Sequence, residues 1–174
     1  MGTEALVSDQ ISKLDATPAL RSTSGEGGAG YSRELNAHVT STSGKTGGST
    51  YRFCRVASNI KLKSLVVEGA AQSVGKYDFG LYYSDSAVDG TPVAYNNGTV
   101  INASFFASDY SFASAVHPTN ISDLASYTID QRNKPLWQAA GLAADPGGFL
   151  DIVGTLTTTI TTGALMGVTI SFVM

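Results

Sequence analysis

Four groups of residues in this 174-residue chain carry side chains capable of chemistry, and each can be weighed by what its reaction would require. Gly44-Lys45-Thr46 matches the tail of a phosphate-binding loop, in which main-chain amides cradle phosphate and the lysine neutralises it. That motif also needs a glycine where Val39 stands and a helix after the loop, which Gly47 and Gly48 oppose. A flexible linker is the better account of "SGKTGGST". The two histidines, His38 and His117, are too few for a histidine metal site and stand near no obvious triad partners, so both are expected on the surface or in loops. The carboxylate pairs Asp85 with Asp89 and Asp145 with Asp151 have the chemistry of a glycosidase or a calcium site. Each pair spans turns, however, where aspartate is favoured for bonding its own backbone.

Cys54 is the single cysteine, which excludes an intrachain disulfide and a zinc site of several thiolates. Arg52 and Arg55 flank it and would lower its pKa if they faced it, but no base stands nearby, and a small buried hydrophobe is the expected role. No catalytic, cofactor-binding or metal residues emerge, so the chain is expected not to be an enzyme and to need no cofactor.

The totals point the same way. With a formal net charge of −3 and eleven scattered Lys and Arg, the basic footprint of a nucleic-acid binder is missing. Charged residues make up 14% of the chain, against about 25% in average soluble proteins, which suits a surface covered by a partner. "MGTEALVSDQISK" has neither the basic region nor the apolar core of a secretory signal. The stretch "IVGTLTTTITTGALMGVTISFVM" is free of charge and long enough for a membrane helix. Its threonines and β-branched residues instead predict two strands divided at "TTGA", so no membrane partner is expected.

These readings set the elements. Residues 1–50 form an expected Gly/Ser/Thr-rich N-terminal arm, followed by a β-sandwich domain over 51–174. Within the arm, Leu6, Val7, Ile11, Leu14, Leu20 and Tyr31 are candidate apolar anchors for a partner surface. In the domain, Tyr77, Phe79, Leu81 and Tyr83 alternate onto one face of a strand. "IKLKSLVVEG" places Ile60, Leu62 and Val66 on one side, with Leu65 and Val67 on the other. Leu150, Ile152, Leu156 and Ile160, then Met166, Val168, Ile170 and Phe172, predict a final hairpin. "HPTNISDLASY" predicts a short helix capped by Asn120 or Thr119. "NKPLWQAAG" predicts about two helical turns, with Asn133 as N-cap, Gly141 as terminator and Trp137 as the structural anchor that plugs one end of the sandwich. Tyr82, Tyr95, Phe105, Phe106 and Tyr110 would serve as core, interface or a carbohydrate-stacking surface.

The order of several stretches resembles a family of tailed-bacteriophage head decoration, or capsid cement, proteins. They are "DATP" at 15–18, "YRFCRVASN" at 51–59, "YDFGLYY" at 77–83, "SFASAV" at 111–116 and "NKPLWQAAGLAADPGGFLDIVGTLT" at 133–157. The segment around "FFASDYSFAS" and the glycine-rich arm depart from the family's pattern. The resemblance implies an all-β, jelly-roll-like β sandwich with one or two short helices and an extended N-terminal arm. It implies a non-enzymatic virion protein on the outer surface of the phage head, with the major capsid protein as partner and self-association as a dimer or trimer. The alternative is a phage tail or fibre component binding a host glycan through Tyr95 and Tyr110.

Overall fold

The structure is a computed structural model, and it describes residues 2–7, 11–12, 32–84 and 98–174. Nine strands form in chain order: β1 (Ala5–Val7), β2 (Arg33–Thr40), β3 (Thr50–Ala57), β4 (Lys61–Gly69), β5 (Lys76–Tyr83), β6 (Val100–Ser111), β7 (Val116–Asn120), β8 (Phe149–Leu156) and β9 (Leu165–Val173). One sheet has the order β1-β3-β8-β5-β6 and the other the order β2-β9-β4-β7. Apart from the parallel β1–β3 contact, the strand pairs are antiparallel.

From β2 onward the chain changes sheet at every connection except β5 to β6, and the last two strands insert between earlier ones. Two four-stranded sheets ordered 2-9-4-7 and 3-8-5-6 are the double Greek key of a jelly roll, with β1 added at an edge. The all-β expectation holds, but the expected final hairpin does not. β8 and β9 lie in different sheets, so their apolar rows meet across the core, where Leu150, Ile152, Leu156, Met166, Val168 and Ile170 are all buried.

Alternation explains most of the faces. Leu35, Ala37 and Val39 point inward from β2, while Glu34, Asn36, His38 and Thr40 are exposed. β2 therefore belongs to the sandwich although it lies within the expected arm, because an eight-residue alternating run gains an apolar face by pairing with β9. Two bulges reset the alternation elsewhere. In β4 the pairing with β9 shifts between Leu62 and Ser64, which brings Leu62, Leu65 and Val67 onto the same buried side and leaves Val66 half-buried. In β3 the pairing with β8 shifts between Arg52 and Cys54. The extra residue turns Phe53 and Cys54 to the core and sets Arg52 and Arg55 together on the outer face.

The core is aromatic at its centre. Tyr51 and Tyr77 meet edge to face at 5.6 Å, and Tyr77 and Phe112 at 5.4 Å. Phe105, Phe106 and Tyr127 form a second cluster, with Phe105 and Phe106 at 4.9 Å. Gly80 lets β6 fold over β5, since a Cβ there would stand 2.1 Å from the Asn102 carbonyl oxygen.

The helix expected in "NKPLWQAAG" is shorter than its two expected turns. Residues Leu136–Ala139 form one turn, α1, with Pro135 rather than Asn133 at its N-cap. Gly141, at φ +79°, follows it as expected of a helix terminator. α1 plugs the sandwich through Leu136, which is fully buried, while Trp137 is only half-buried. Main-chain bonds fix the turn, from Leu136 N–H to the Ile60 carbonyl at 2.8 Å and from Trp137 N–H to the Ser58 carbonyl at 3.1 Å. Asn120 caps no helix. It accepts bonds from the Ser122 amide and hydroxyl at 3.0 and 2.8 Å, closing an Asx turn, and a 3-10 turn forms at Ile129–Gln131 instead.

Candidate interaction surface

A short N-terminal strand needs help to stay on an edge, because three paired residues contribute little against the entropy of ordering them. β1 receives that help from a polar seat around Glu4. Ala5, Leu6 and Val7 lie opposite Thr50, Tyr51 and Arg52, and the Thr50 amide donates to the Glu4 carbonyl at 2.9 Å. The Glu4 carboxylate accepts from the Thr42 amide at 3.2 Å, the Thr42 hydroxyl at 2.6 Å and the Tyr51 hydroxyl at 2.6 Å. Lys45 adds its ammonium at 3.5 Å. The Glu4 amide in turn donates to Ser49 Oγ at 3.1 Å. One side chain thereby ties the arm to the β2–β3 loop and to β3.

The electrostatics follow from that geometry. Burial pulls the Glu4 carboxyl upward, but the bonds from Thr42 and Tyr51 and the charge of Lys45 outweigh it, leaving its pKa below the ordinary 4.5. Burial and the neighbouring carboxylate raise the Tyr51 phenol, which therefore stays a donor to Glu4. Tyr77 continues the polar line inward by donating to Gln72 Oε1.

A second polar group lies under the outer face of the five-stranded sheet. Asp151, fully buried on β8, takes Arg55 Nε at 2.8 Å and Arg52 Nη1 at 2.9 Å. Arg52 also reaches the carbonyls of Gly98 and Tyr83 and lies over the Tyr82 ring, 5.5 Å from its centroid. Burial raises the Asp151 carboxyl despite the two guanidiniums beside it. The arginines serve Asp151 and not Cys54, whose thiol faces the core and is pushed up by burial and by the Asp151 charge. That reverses the shift their flanking positions suggested.

The remaining chemical candidates are kept apart by the fold. His38 lies on β2 and His117 on β7, the two opposite edges of one sheet, so about three strand spacings of roughly 4.8 Å separate them. Asp145 accepts from Ser58 Oγ at 2.5 Å and from the Gly147 amide at 2.9 Å in a turn, while Asp151 is in the arginine cluster, so they do not act as a pair. Asp85 and Asp89 lie outside the described residues. Lys45 forms isolated bridges with Gly2 and Ile160, which places the "GKT" stretch in the arm's seat. Among the described residues no cluster of His, Cys, Asp and Glu could hold a metal ion, and no helix is long and apolar enough to cross a membrane.

The expected arm anchors divide. Leu6 packs against the core from β1, Val7 is exposed at 41%, and Ile11 is fully buried. Leu14, Leu20 and Tyr31 lie outside the described residues, as does Tyr95. Tyr110 is occupied internally, edge-on to Phe79 at 6.4 Å and Phe112 at 5.8 Å, and Tyr82, Phe105 and Phe106 are buried. The arrangement can grip and pair strands; it assembles no reacting centre among the described residues.

The fold is thus an eight-strand jelly roll with an added edge strand, a double-sheet architecture found among viral capsid proteins, lectins and cupins. The chain is similar to one in the solved structure of the cyanophage Pam1 capsid asymmetric unit, at a TM-score of 0.51 and 11% identity. The similarity covers 90% of this chain and 94% of that one. At this identity it speaks for the fold. No protein-family model matches the chain, and no curated protein matches its sequence.

Proposed function

We propose that the protein is a virion structural protein, a capsid decoration or cement protein that binds the outside of the expanded phage head and stabilises contacts between capsomers of the major capsid protein. The observation that carries this reading is the near end-to-end match to a phage capsid chain of similar length. Two features support it: polar residues are committed to internal networks, and the N-terminal strand is held on a sheet edge by Glu4. On this reading the protein is not an enzyme, uses no cofactor or metal, and has no nucleic-acid or membrane partner.

The arm acts as the clasp. Val7, exposed beside the seat, and Leu14, Leu20 and Tyr31 further along supply apolar contacts to a capsomer or sister subunit, while Leu6 and Ile11 secure the arm to its own domain. Repetition around a symmetric shell multiplies such weak contacts through avidity. Co-sedimentation with expanded, undecorated heads and with unexpanded proheads tests the proposal. Saturable pelleting with expanded heads alone is the expected result. A folded protein that pellets with neither overturns the reading.

A further inference from the structure

We propose that the edge of β2 left open among the described residues is a self-association site at which two copies pair β2 to β2, antiparallel about a two-fold axis at Asn36, joining their four-stranded sheets into one. The proposal concerns the isolated protein, so its test is independent of whether the protein binds phage heads.

The two sheets have four edge strands, and three are blunted against pairing. β1 has three residues. β6 breaks register with β5 at three places. β7 has five residues, includes Pro118, and pairs with a β4 whose register shifts. Short, bulged or proline-bearing edges are the usual protections against strand addition. β2 has none of them: its eight residues contain neither proline nor glycine and pair with β9 without a register break. Among the described residues β9 is its one strand partner.

The direction of the main chain can be read from one bond. The Ser41 amide donates to the Ala164 carbonyl at 3.0 Å, one step beyond the Thr40–Leu165 pair. Because bonded and non-bonded pairs alternate in an antiparallel ladder, Arg33, Leu35, Ala37 and Val39 turn their main chain to β9. Glu34, Asn36, His38 and Thr40 turn theirs to the open edge. The next residue of that set, Thr42, already donates its amide to Glu4 Oε1 at 3.2 Å, so the arm's seat marks where the open edge stops.

These parities restrict what can add. In a self-pair, residues of the even-numbered set must lie opposite one another, because only they share both the outward side-chain face and the edge-directed main chain. Three bonded pairs around Asn36 then supply about six main-chain hydrogen bonds. With the axis at Asn36, each Glu34 carboxylate lies opposite His38 of the partner subunit, twice over, and the two Asn36 residues meet at the axis, each side-chain oxygen accepting from Thr169 Oγ1 of its own β9 at 2.5 Å. Moving the axis to Ala37 sets Glu34 against Thr40 and loses both carboxylate–imidazole contacts. Moving it to His38 sets imidazole against imidazole. Charge complementarity therefore selects a second copy as the occupant and Asn36 as its axis. The contact is isologous, so it closes a dimer and does not build a trimer.

Sedimentation velocity of the full chain across the micromolar range tests this. The expected result is a dimer that Asn36→Pro converts to monomer with the sandwich's far-UV spectrum retained, since that N–H faces the open edge and β9 does not need it. His38→Glu should weaken the dimer about tenfold by placing like charges opposite, and Glu34→Lys combined with His38→Glu should restore it. Asn36→Cys should oxidise to a covalent dimer faster than Thr40→Cys, because Asn36 alone meets its own copy. A chain that stays monomeric across the range overturns the proposal, as does a dimer indifferent to His38→Glu or one that crosslinks equally through both cysteines.

Discussion

The Tyr51 hydroxyl donates to Glu4 Oε1 at 2.6 Å although 47 residues separate the two in sequence. This bond joins the residue that leads into β1 to β3, its neighbour in the five-stranded sheet. Its partners on the Glu4 carboxylate, Thr42 and Lys45, come from the β2–β3 loop, so the seat is formed only when that loop is folded.

Removing the carboxylate should free the arm without unfolding the sandwich. Glu4→Ala leaves the Tyr51 hydroxyl and Thr42 amide without their acceptor, a local loss of about 1 to 3 kcal/mol. Amide exchange at Thr50, whose N–H bonds to the Glu4 carbonyl, should accelerate while exchange in β8 is unchanged. Equal acceleration in β8 would contradict the seat's local role.

Acid should do the same reversibly. Glu4 titrates below its ordinary 4.5 in the folded protein, so its contribution is present above that value and is lost as pH falls through the depressed folded pKa. Thr50 exchange, corrected for intrinsic rates, is expected to rise below pH 4.5 in the native protein. Glu4→Gln should flatten that profile, and an unchanged acid response in the variant would assign it to another group.

The buried cluster predicts a global effect. Asp151→Asn removes the buried carboxylate charge that Arg52 and Arg55 share beneath the sheet, which should cost about 3 to 5 kcal/mol. Urea unfolding would register it as a lower midpoint with little change in slope. A loss under about 1 kcal/mol would mean that water reaches the arginines.

At the sandwich end, Leu136 and Trp137 should differ in the order opposite to their size. Leu136→Ala should cost about 2 to 5 kcal/mol as a core truncation. Trp137, half-buried, should cost less on truncation. Thermal unfolding of the two variants compares them directly.

Gly80→Ala adds a methyl that would stand 2.1 Å from the Asn102 carbonyl oxygen, a main-chain atom that cannot rotate away. The expected cost is about 1 to 3 kcal/mol, with loss of amide protection concentrated in β6. Protection lost evenly over both sheets would indicate that β6 does not yield first.

Period-two alternation made the inward faces of β5 and β9 legible, because Tyr77, Phe79 and Leu81, and Met166, Val168 and Ile170, follow it without interruption. Strict alternation does not hold where a single inserted residue resets the phase, as at Lys63 and Phe53, since nothing local in "LKSL" or "RFCR" announces a bulge. β2 was obscured by its surroundings: three modest apolar residues, Leu35, Ala37 and Val39, are diluted by the Gly- and Ser-rich stretches on either side. The split of β8 and β9 between sheets is set by which neighbours each strand finds, and no turn signal encodes that. Glu4 offered no motif either, because its partners come from Thr42, Lys45 and Tyr51. The arginine cluster left a trace: "YRFCRVA" and "FLDIVG" each carry opposite charge inside an apolar strand, and charges so placed are buried only in pairs.

The positions of the last two strands have a consequence for biosynthesis. β8 is inserted between β3 and β5, and β9 between β2 and β4, so each sheet receives its central strand only at the end of the described chain. While residues up to about β7 emerge from a ribosome at roughly 5 to 20 residues per second, neither sheet has the strand that joins its halves. The nascent chain therefore carries incomplete sheets until β8 and then β9 are released, so both sheets close late in synthesis. A chaperone that holds those strands apart would act before β9 has emerged, and shortening the chain before β9 would remove an inner strand of a sheet instead of trimming an edge.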